Sequence, residues 1–210
     1  MKNKFILFDF DGTIADDLKV VIDTENFLHD KYGYTTFTQN KLRRDSKFKL
    51  LFKDLKLKLT TLPLFYWRFR NAFEKNFKKI KVFPGIKDLM RKLQKDGFKI
   101  GILSSCISPH PSEHIWEFLK KNQIYNVEFV RHTHILGKTF SLKKIMEEYD
   151  LSPSEIIYVG DRVSDVNSCK VLGIETVAVT WGYGTNSDLV KSRPHYIVNN
   201  SEELYNVLVN

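Results

Sequence analysis

The sequence predicts an α/β fold in which helices flank a parallel sheet and a helical segment is inserted after the first strand. Short apolar runs alternate with helical stretches of about ten residues, a pattern typical of crossover connections between parallel strands. Residues 16–82 interrupt this alternation, because they include one glycine, one proline and no clear strand. We therefore predict two domains, one formed by residues 1–15 and 83–210 and an all-helical one formed by residues 16–82.

The elements of the first domain follow one another in a regular order. Gly97 and Gly173 stand where a helix is expected to end, since glycine readily takes the left-handed conformation found there. Apolar runs predict strands at residues 4–10, 98–104, 127–130, 156–160, 176–180 and 196–198. The stretches between and after them predict helices at residues 86–95, 114–122, 141–149, 164–172 and 201–208.

The inserted segment has two notable features, an aromatic stripe and an excess of positive charge. Phe65, Phe69, Phe73 and Phe77 recur every fourth residue, which predicts an apolar helix face that serves packing. The segment holds 16 of the 33 Lys and Arg residues but 8 of the 25 Asp and Glu residues, so it carries the whole net charge of +8. This charge is explained either by a solvated helical surface or by a positive field that attracts an anionic ligand.

The composition predicts a globular protein of the cytoplasm. Apolar residues make up 42% of the chain, and two cysteines, Cys106 and Cys169, are too few for a disulfide framework. No apolar run approaches the roughly 18 residues of a membrane span, and the start of the chain does not match a signal peptide. We expect no membrane contact, and the sequence is compatible with a monomer or a homodimer.

Two carboxylates follow the first predicted strand. Asp9 and Asp11 end an apolar run within Asp-Phe-Asp-Gly-Thr, and side chains two residues apart on an extended chain point the same way. Two acids held close together repel each other unless a cation lies between them, and Mg²⁺ suits such oxygen ligands. Gly12 allows the sharp turn that follows, and its backbone amide and that of Thr13 could meet an anion.

Two further sites lie at the same predicted edge of the sheet, where ligands of open α/β sheets bind, and a lysine is a third candidate. Ser104 and Ser105 end the second strand with hydroxyls that suit a phosphoryl oxygen. Lys138 offers a compact cation. A later strand ends in Gly-Asp161, and Asp165 follows one helical turn further on. His132 and His134 could ligate a metal, but a polar loop is the favoured interpretation.

In this order, Asp9-x-Asp11-Gly12-Thr13, Ser104, Lys138 and Gly160-Asp161-x-x-x-Asp165 resemble the four motifs of the haloacid dehalogenase-like hydrolases. The resemblance spans nearly the whole chain. It implies a Rossmann-like sheet, and the inserted helices resemble the type-1 cap of that family. The segment from Val177 to Gly184 and the Phe-Pro-Gly turn at 83–85 look like the phosphoglycolate phosphatase-like branch.

The resemblance also implies roles for these residues. Asp9 would be the nucleophile that forms an aspartyl-phosphate, and Asp11 would act as general acid and base. Mg²⁺ would be held by Asp9, by the backbone carbonyl of Asp11 and by Asp161, with support from Asp165. The substrate phosphate would be bound by Gly12, Thr13, Ser104, Ser105 and Lys138.

The resemblance also favours phosphoryl chemistry, because position 11 is an acid in this chain. In the carbon–halogen hydrolysing branch of the family, the residue two positions after the nucleophile is aromatic. The resemblance therefore implies a Mg²⁺-dependent phosphatase acting on a small anionic phosphate ester, either phosphoglycolate-like or a sugar phosphate. Two alternatives remain. One is a phosphomutase on the same core, and the other is a basic protein that binds nucleic acid or an acidic partner and has a vestigial site.

Overall fold

The computed structural model describes residues 5–34, 62–105, 110–133 and 137–210. Six parallel strands form the central sheet in this part of the chain: β1 (Phe5–Phe8), β4 (Lys99–Ser104), β5 (Phe129–His132), β6 (Ile156–Gly160), β7 (Glu175–Val179) and β8 (Tyr196–Val198). Their order across the sheet is β5-β4-β1-β6-β7-β8, so the predicted α/β fold class is confirmed.

Helices occupy the connections between these strands, and one more follows the last strand. They are α1 (Leu18–Tyr32), α2 (Leu62–Phe77), α3 (Ile86–Lys95), α4 (Pro111–Lys121), α5 (Lys138–Tyr149), α6 (Val163–Leu172), α7 (Asn186–Ser192) and α8 (Ser201–Val209). The sequence prediction missed α7, which is only seven residues long, and placed the starts of α4 and α5 three residues too late. Pro111 can begin α4 because its fixed φ angle suits the first helical position.

Two short strands form the boundary of the inserted segment. β2 (Ala15–Asp16) pairs antiparallel with β3 (Lys81–Val82). The prediction of a segment without strands was wrong here, because two residues are too few to give a readable alternation. This pair brings the two ends of the segment together beside the main sheet. The division into a core domain and a helical cap domain stays a prediction.

The aromatic stripe of α2 is buried, as its spacing predicted, and Phe65, Phe69, Phe73 and Phe77 each expose less than a tenth of their surface. At the end of the helix, Phe77 stacks on Phe10, with ring centroids 6.5 Å apart. The stripe therefore joins the core beneath the sheet instead of forming a separate cluster.

Residues 35–61 lie outside the described part of the chain, and much of the basic segment falls there, including Arg43, Arg44, Lys47 and Lys49. Both explanations of this charge, a solvated surface and a field that attracts an anion, therefore stay open. Cys106 and His134 also lie outside the described residues. None of the helices that the structure describes has the length and apolar character needed to cross a membrane.

Candidate active site

Asp9 and Asp11 lie just beyond β1, at the carboxyl edge of the sheet, and both are buried. The backbone N–H of Asp9 donates to the carbonyl of Val159 at 2.8 Å, so the link to β6 continues for one residue past the strand. The chain then turns, because the carbonyl of Phe10 accepts from the backbone N–H groups of Thr13, Ile14 and Ala15. Strand β1 therefore ends at Phe8 rather than at the predicted residue 10, and the turn places both acids at the mouth of the sheet.

Asp161 follows β6, the neighbour of β1, and has no exposed surface. Its Oδ2 accepts the backbone N–H of Tyr183 at 2.7 Å, and its Oδ1 accepts the hydroxyl of Thr13 at 3.2 Å. The side chain of Thr13 thus supports this carboxylate, while its expected role in phosphate binding stays a prediction. Asp161 is held by groups from both ends of the sequence.

Lys138 is the first residue of α5, and its ammonium lies between two carboxylates. Its Nζ is 3.1 Å from Asp9 Oδ2 and 2.6 Å from Asp165 Oδ1. Asp165 sits in the first turn of α6, where its Oδ2 accepts the backbone N–H of Arg162 at 3.0 Å. The structure therefore brings together Asp9, Lys138 and Asp165 from three different elements.

The electrostatics of this cluster follow from burial. Burial raises the pKa of Asp9 to about 7, against the lowering by the Lys138 ammonium, and nearby carboxylates add to the increase. Burial also raises the pKa of Asp161 to about 6, although the guanidinium of Arg162 opposes it. Burial lowers the pKa of Lys138, but Asp165 and Asp9 outweigh that effect, so its pKa lies well above the usual value. The lysine is therefore charged, whereas burial disfavours the ionised forms of Asp9 and Asp161.

The same acids could hold a cation. Oxygen atoms of Asp9, Asp161 and Asp165 lie within 4.8 Å of one another, and all three residues are buried. Carboxylate oxygens are the ligands that Mg²⁺ prefers, and a divalent cation would favour the ionised forms of Asp9 and Asp161, whose pKa values are raised first by burial and then by neighbouring carboxylates. The Asp11 side chain is not part of this group, and the contribution expected from its backbone carbonyl stays a prediction.

Ser104 ends β4, on the other side of β1 from Asp161. It is fully buried, and its carbonyl accepts the backbone N–H of Thr133 at 2.8 Å. Ser105 is exposed at the mouth, with its Oγ 3.1 Å from Thr133 Oγ1. The two serines therefore lie at the expected edge of the sheet, and their contact with a phosphate stays a prediction.

Gly12 turns the chain directly over Asp161. Its φ angle is +77°, and a Cβ atom on Gly12 would lie 2.4 Å from Asp161 Oδ2. No side chain fits in this position. Glycine is therefore required here both by the turn and by the close packing on Asp161. The expected contact of Gly12 with phosphate remains a prediction.

The sequence prediction did not identify the contacts made by the loop after β7. Trp181 donates its Nε1–H to the carbonyl of Thr13 at 3.1 Å, and Tyr183 donates its hydroxyl to Asp17 Oδ2 at 2.7 Å. The Trp-Gly-Tyr-Gly sequence was the available signal, because alternating glycines mark a backbone that approaches another chain segment closely. The Cζ atom of Arg162 lies 4.4 Å from the centre of the Tyr183 ring.

The chain is similar to known proteins over nearly its whole length. A family model described as haloacid dehalogenase-like hydrolase matches residues 6–179. Among curated proteins, a phosphoglycolate phosphatase of Synechococcus elongatus is 28% identical over 95% of this chain and 94% of its own length. A pyrophosphatase PpaX of Bacillus mycoides is 24% identical over 99% of this chain and 98% of its own length.

Among solved structures, one described as a predicted phosphatase from Clostridium acetobutylicum has a similar fold, with a TM-score of 0.84 at 21% identity. The match covers 100% of this chain and 99% of that one.

Proposed function

Because the chain belongs to the haloacid dehalogenase-like hydrolase family, we propose that it is a Mg²⁺-dependent phosphatase that hydrolyses a small phosphate monoester through an aspartyl-phosphate. The observation that carries this proposal is the position of Lys138, with its Nζ 3.1 Å from Asp9 Oδ2 inside a cluster of buried acids. A carboxylate can approach a dianionic phosphate when cations surround both groups.

The carboxylate of Asp9 would attack phosphorus, and the leaving oxygen would take its proton from Asp11. Asp11 would then remove a proton from the water that hydrolyses the aspartyl-phosphate, which regenerates Asp9 and releases inorganic phosphate. Lys138 would favour the ionised form of Asp9 and bind phosphoryl oxygens together with Ser104. Because Asp9 is buried, bulk water has little access to it, so the fixed charges act in a weakly screened environment.

Asp9, Asp161 and Asp165 would hold Mg²⁺, with the backbone carbonyl of Asp11 as a further ligand. A bound Mg²⁺ would supply positive charge against the repulsion between the nucleophile and the phosphate. The hydrogen bonds from the backbone N–H of Tyr183 and from the hydroxyl of Thr13 would orient the carboxylate of Asp161 toward the ion.

The substrate class that we propose is a small phosphoglycolate-like ester or a sugar phosphate. The 28% identical relative is named a phosphoglycolate phosphatase and the 24% identical one a pyrophosphatase, so both names point to small anions rather than to polymers. We also propose a cytoplasmic location, on the ground of the two cysteines in the sequence.

A phosphate-release screen tests this function. Phosphoglycolate, pyrophosphate and several sugar phosphates are offered with Mg²⁺, and again with excess chelator. We expect release from at least one of the esters, and none in chelator. Recovery of the phosphoryl group on a second sugar hydroxyl instead of as free phosphate would favour the phosphomutase alternative. Salt-sensitive binding of DNA or RNA, with no release from any small ester, would favour the nucleic-acid alternative.

A further inference from the structure

The loop at residues 182–184 packs tightly around Asp161. The backbone N–H of Gly184 donates to the carbonyl of Asp161 at 3.1 Å, and the backbone N–H of Tyr183 donates to its Oδ2 at 2.7 Å. A Cβ atom on Gly182 would lie 2.4 Å from the Asp161 side chain, and one on Gly184 would lie 2.1 Å from its backbone oxygen. The loop therefore leaves Asp161 little freedom to rotate, and a shift of the loop must shift this carboxylate.

The other end of Tyr183 reaches the inserted segment. Its phenol O–H donates to Asp17 Oδ2 at 2.7 Å, although the two residues are 166 positions apart in the sequence. Asp17 is the residue before α1 and directly follows β2. Tyr183 and Asp17 expose 3% and 2% of their surface, so this hydrogen bond is shielded from water. A buried hydrogen bond to a carboxylate is among the stronger ones in proteins.

We propose that Tyr183 is a positioning residue that ties the start of α1 to the orientation of Asp161. One residue holds Asp161 through its backbone and Asp17 through its hydroxyl, and the guanidinium of Arg162 covers its ring at 4.4 Å. A displacement of α1 moves Asp17, and with it the hydroxyl group of Tyr183. The loop at residues 182–184 then shifts, and the carboxylate of Asp161 shifts with it. The affinity for Mg²⁺ thus depends on the position of the inserted segment. This inference rests on the proposed function, in which Asp161 is a metal ligand.

The first experiment measures Mg²⁺ binding by calorimetry in the absence of substrate. Tyr183→Phe removes the hydroxyl but keeps the ring and the backbone N–H. We expect it to weaken Mg²⁺ binding about tenfold, the lower end of the effect seen when a group that orients a metal ligand is lost. Tyr205→Phe is the matched control, because its hydroxyl also donates to an aspartate, Asp96, at 2.8 Å and touches neither Asp161 nor the loop. Its Mg²⁺ affinity should equal that of the parent.

Two variants of Asp17 test the link from its other side. Asp17→Ala removes the acceptor and should weaken Mg²⁺ binding as much as Tyr183→Phe does. Asp17→Asn retains an acceptor oxygen and should restore most of the affinity. The Asp17→Ala, Tyr183→Phe double variant should bind no more weakly than either single variant, because both changes break the same hydrogen bond. These variants also keep the test valid if Tyr183→Phe does not fold.

Kinetics separate a positioning role from a general loss of structure. In Tyr183→Phe the Mg²⁺ concentration for half-maximal phosphate release should rise about tenfold, while kcat at saturating Mg²⁺ stays within about twofold of the parent. A parent that binds Mg²⁺ and Tyr183 and Asp17 variants that bind it equally well would overturn the inference and leave the proposed function standing. A parent that shows no Mg²⁺ binding would overturn the proposed metal site, and the inference with it.

Discussion

Lys138 Nζ lies 3.1 Å from Asp9 Oδ2, and both side chains are almost entirely buried. The ammonium also contacts Asp165 at 2.6 Å, so one cation lies between two buried acids. Burial raises the pKa of Asp9 and the lysine lowers it, so the lysine increases the fraction of the carboxylate that is ionised near neutral pH.

The first prediction concerns the loss of this cation. Lys138→Met keeps the length of the side chain and removes its charge, so kcat/KM for the best substrate of the screen should fall by about 10² to 10³, as when one electrostatic contact to a transition state is lost. Steady-state phosphate release measures it. Lys143→Met is the control on the same helix, because Lys143 is exposed and 3.9 Å from Glu147. Equal losses in both variants would refute the role given to Lys138.

The second prediction concerns the proposed nucleophile. Asp9→Asn should reduce turnover by at least about 10³ while the protein remains folded, because an amide cannot form the acyl phosphate. Mass spectrometry of acid-quenched parent protein should detect one added phosphoryl group, which should be missing in Asp9→Asn. Asp23→Asn, at an exposed position of α1, is the control. Near-parental turnover by a sequence-verified Asp9→Asn protein would exclude the mechanism.

The sequence predicted those site residues that can be recognised from their immediate neighbours in the chain. Asp9 ends an apolar run and Asp161 ends another, and the fold class alone brings the ends of two neighbouring parallel strands to one edge. Lys138 was placed at the site by family resemblance, since a lysine after a glycine has no local signal of its own. In the structure, Lys138 is the first residue of α5, and this start of the helix places its side chain at the site.

The contacts that the sequence did not predict join distant segments. The bond between Tyr183 and Asp17 spans 166 residues, and no periodicity or turn motif encodes such a pairing. The β2–β3 pair involves two residues in each strand, fewer than the four or more over which apolar and polar residues alternate recognisably. Local patterns therefore predicted the positions of the acids, whereas the groups that hold Asp161 required the three-dimensional structure.

The third prediction is a pH dependence of stability in chelator. The pKa of Asp161 is raised from 3.8 to about 6, so the folded protein keeps a proton that the unfolded chain has released between these values. Because the unfolded state binds fewer protons there, the free energy of unfolding falls as the pH rises. Ionisation of Asp161 should thus cost up to about 3 kcal/mol by pH 7, at about 1.4 kcal/mol for each pKa unit.

Asp161→Asn removes this titration and keeps the shape of the side chain. Relative to the parent, the variant should gain stability between pH 4 and pH 7, by about the same 3 kcal/mol, measured by urea unfolding in chelator. Asp96→Asn, an exposed acid at the end of α3, should follow the parent. A constant difference between Asp161→Asn and the parent across this range would show that Asp161 ionises normally in the folded protein.

The last prediction separates packing from backbone conformation at Gly12. Gly12 and Gly33 have similar φ angles of +77° and +69°, but a Cβ atom on Gly12 would meet Asp161 Oδ2 at 2.4 Å, whereas one on Gly33 would meet nothing within 4 Å. Alanine in a left-handed conformation costs about 1–2 kcal/mol, so both substitutions should lower the free energy of unfolding by that amount. Gly12→Ala must in addition displace the carboxylate of Asp161 or the ring of Tyr183, which lies 2.6 Å from the same Cβ position.

We therefore expect Gly12→Ala to weaken Mg²⁺ binding by at least about tenfold, because it displaces a metal ligand or the group that orients it. Gly33→Ala should leave Mg²⁺ affinity and kcat unchanged despite its similar loss of stability. Calorimetric Mg²⁺ titration and urea unfolding of both variants provide the comparison. Equal Mg²⁺ binding by the two alanine variants would show that the close packing of Gly12 on Asp161 does not affect the metal site. Glycine would then be required at position 12 only for the backbone conformation of the turn after Asp11.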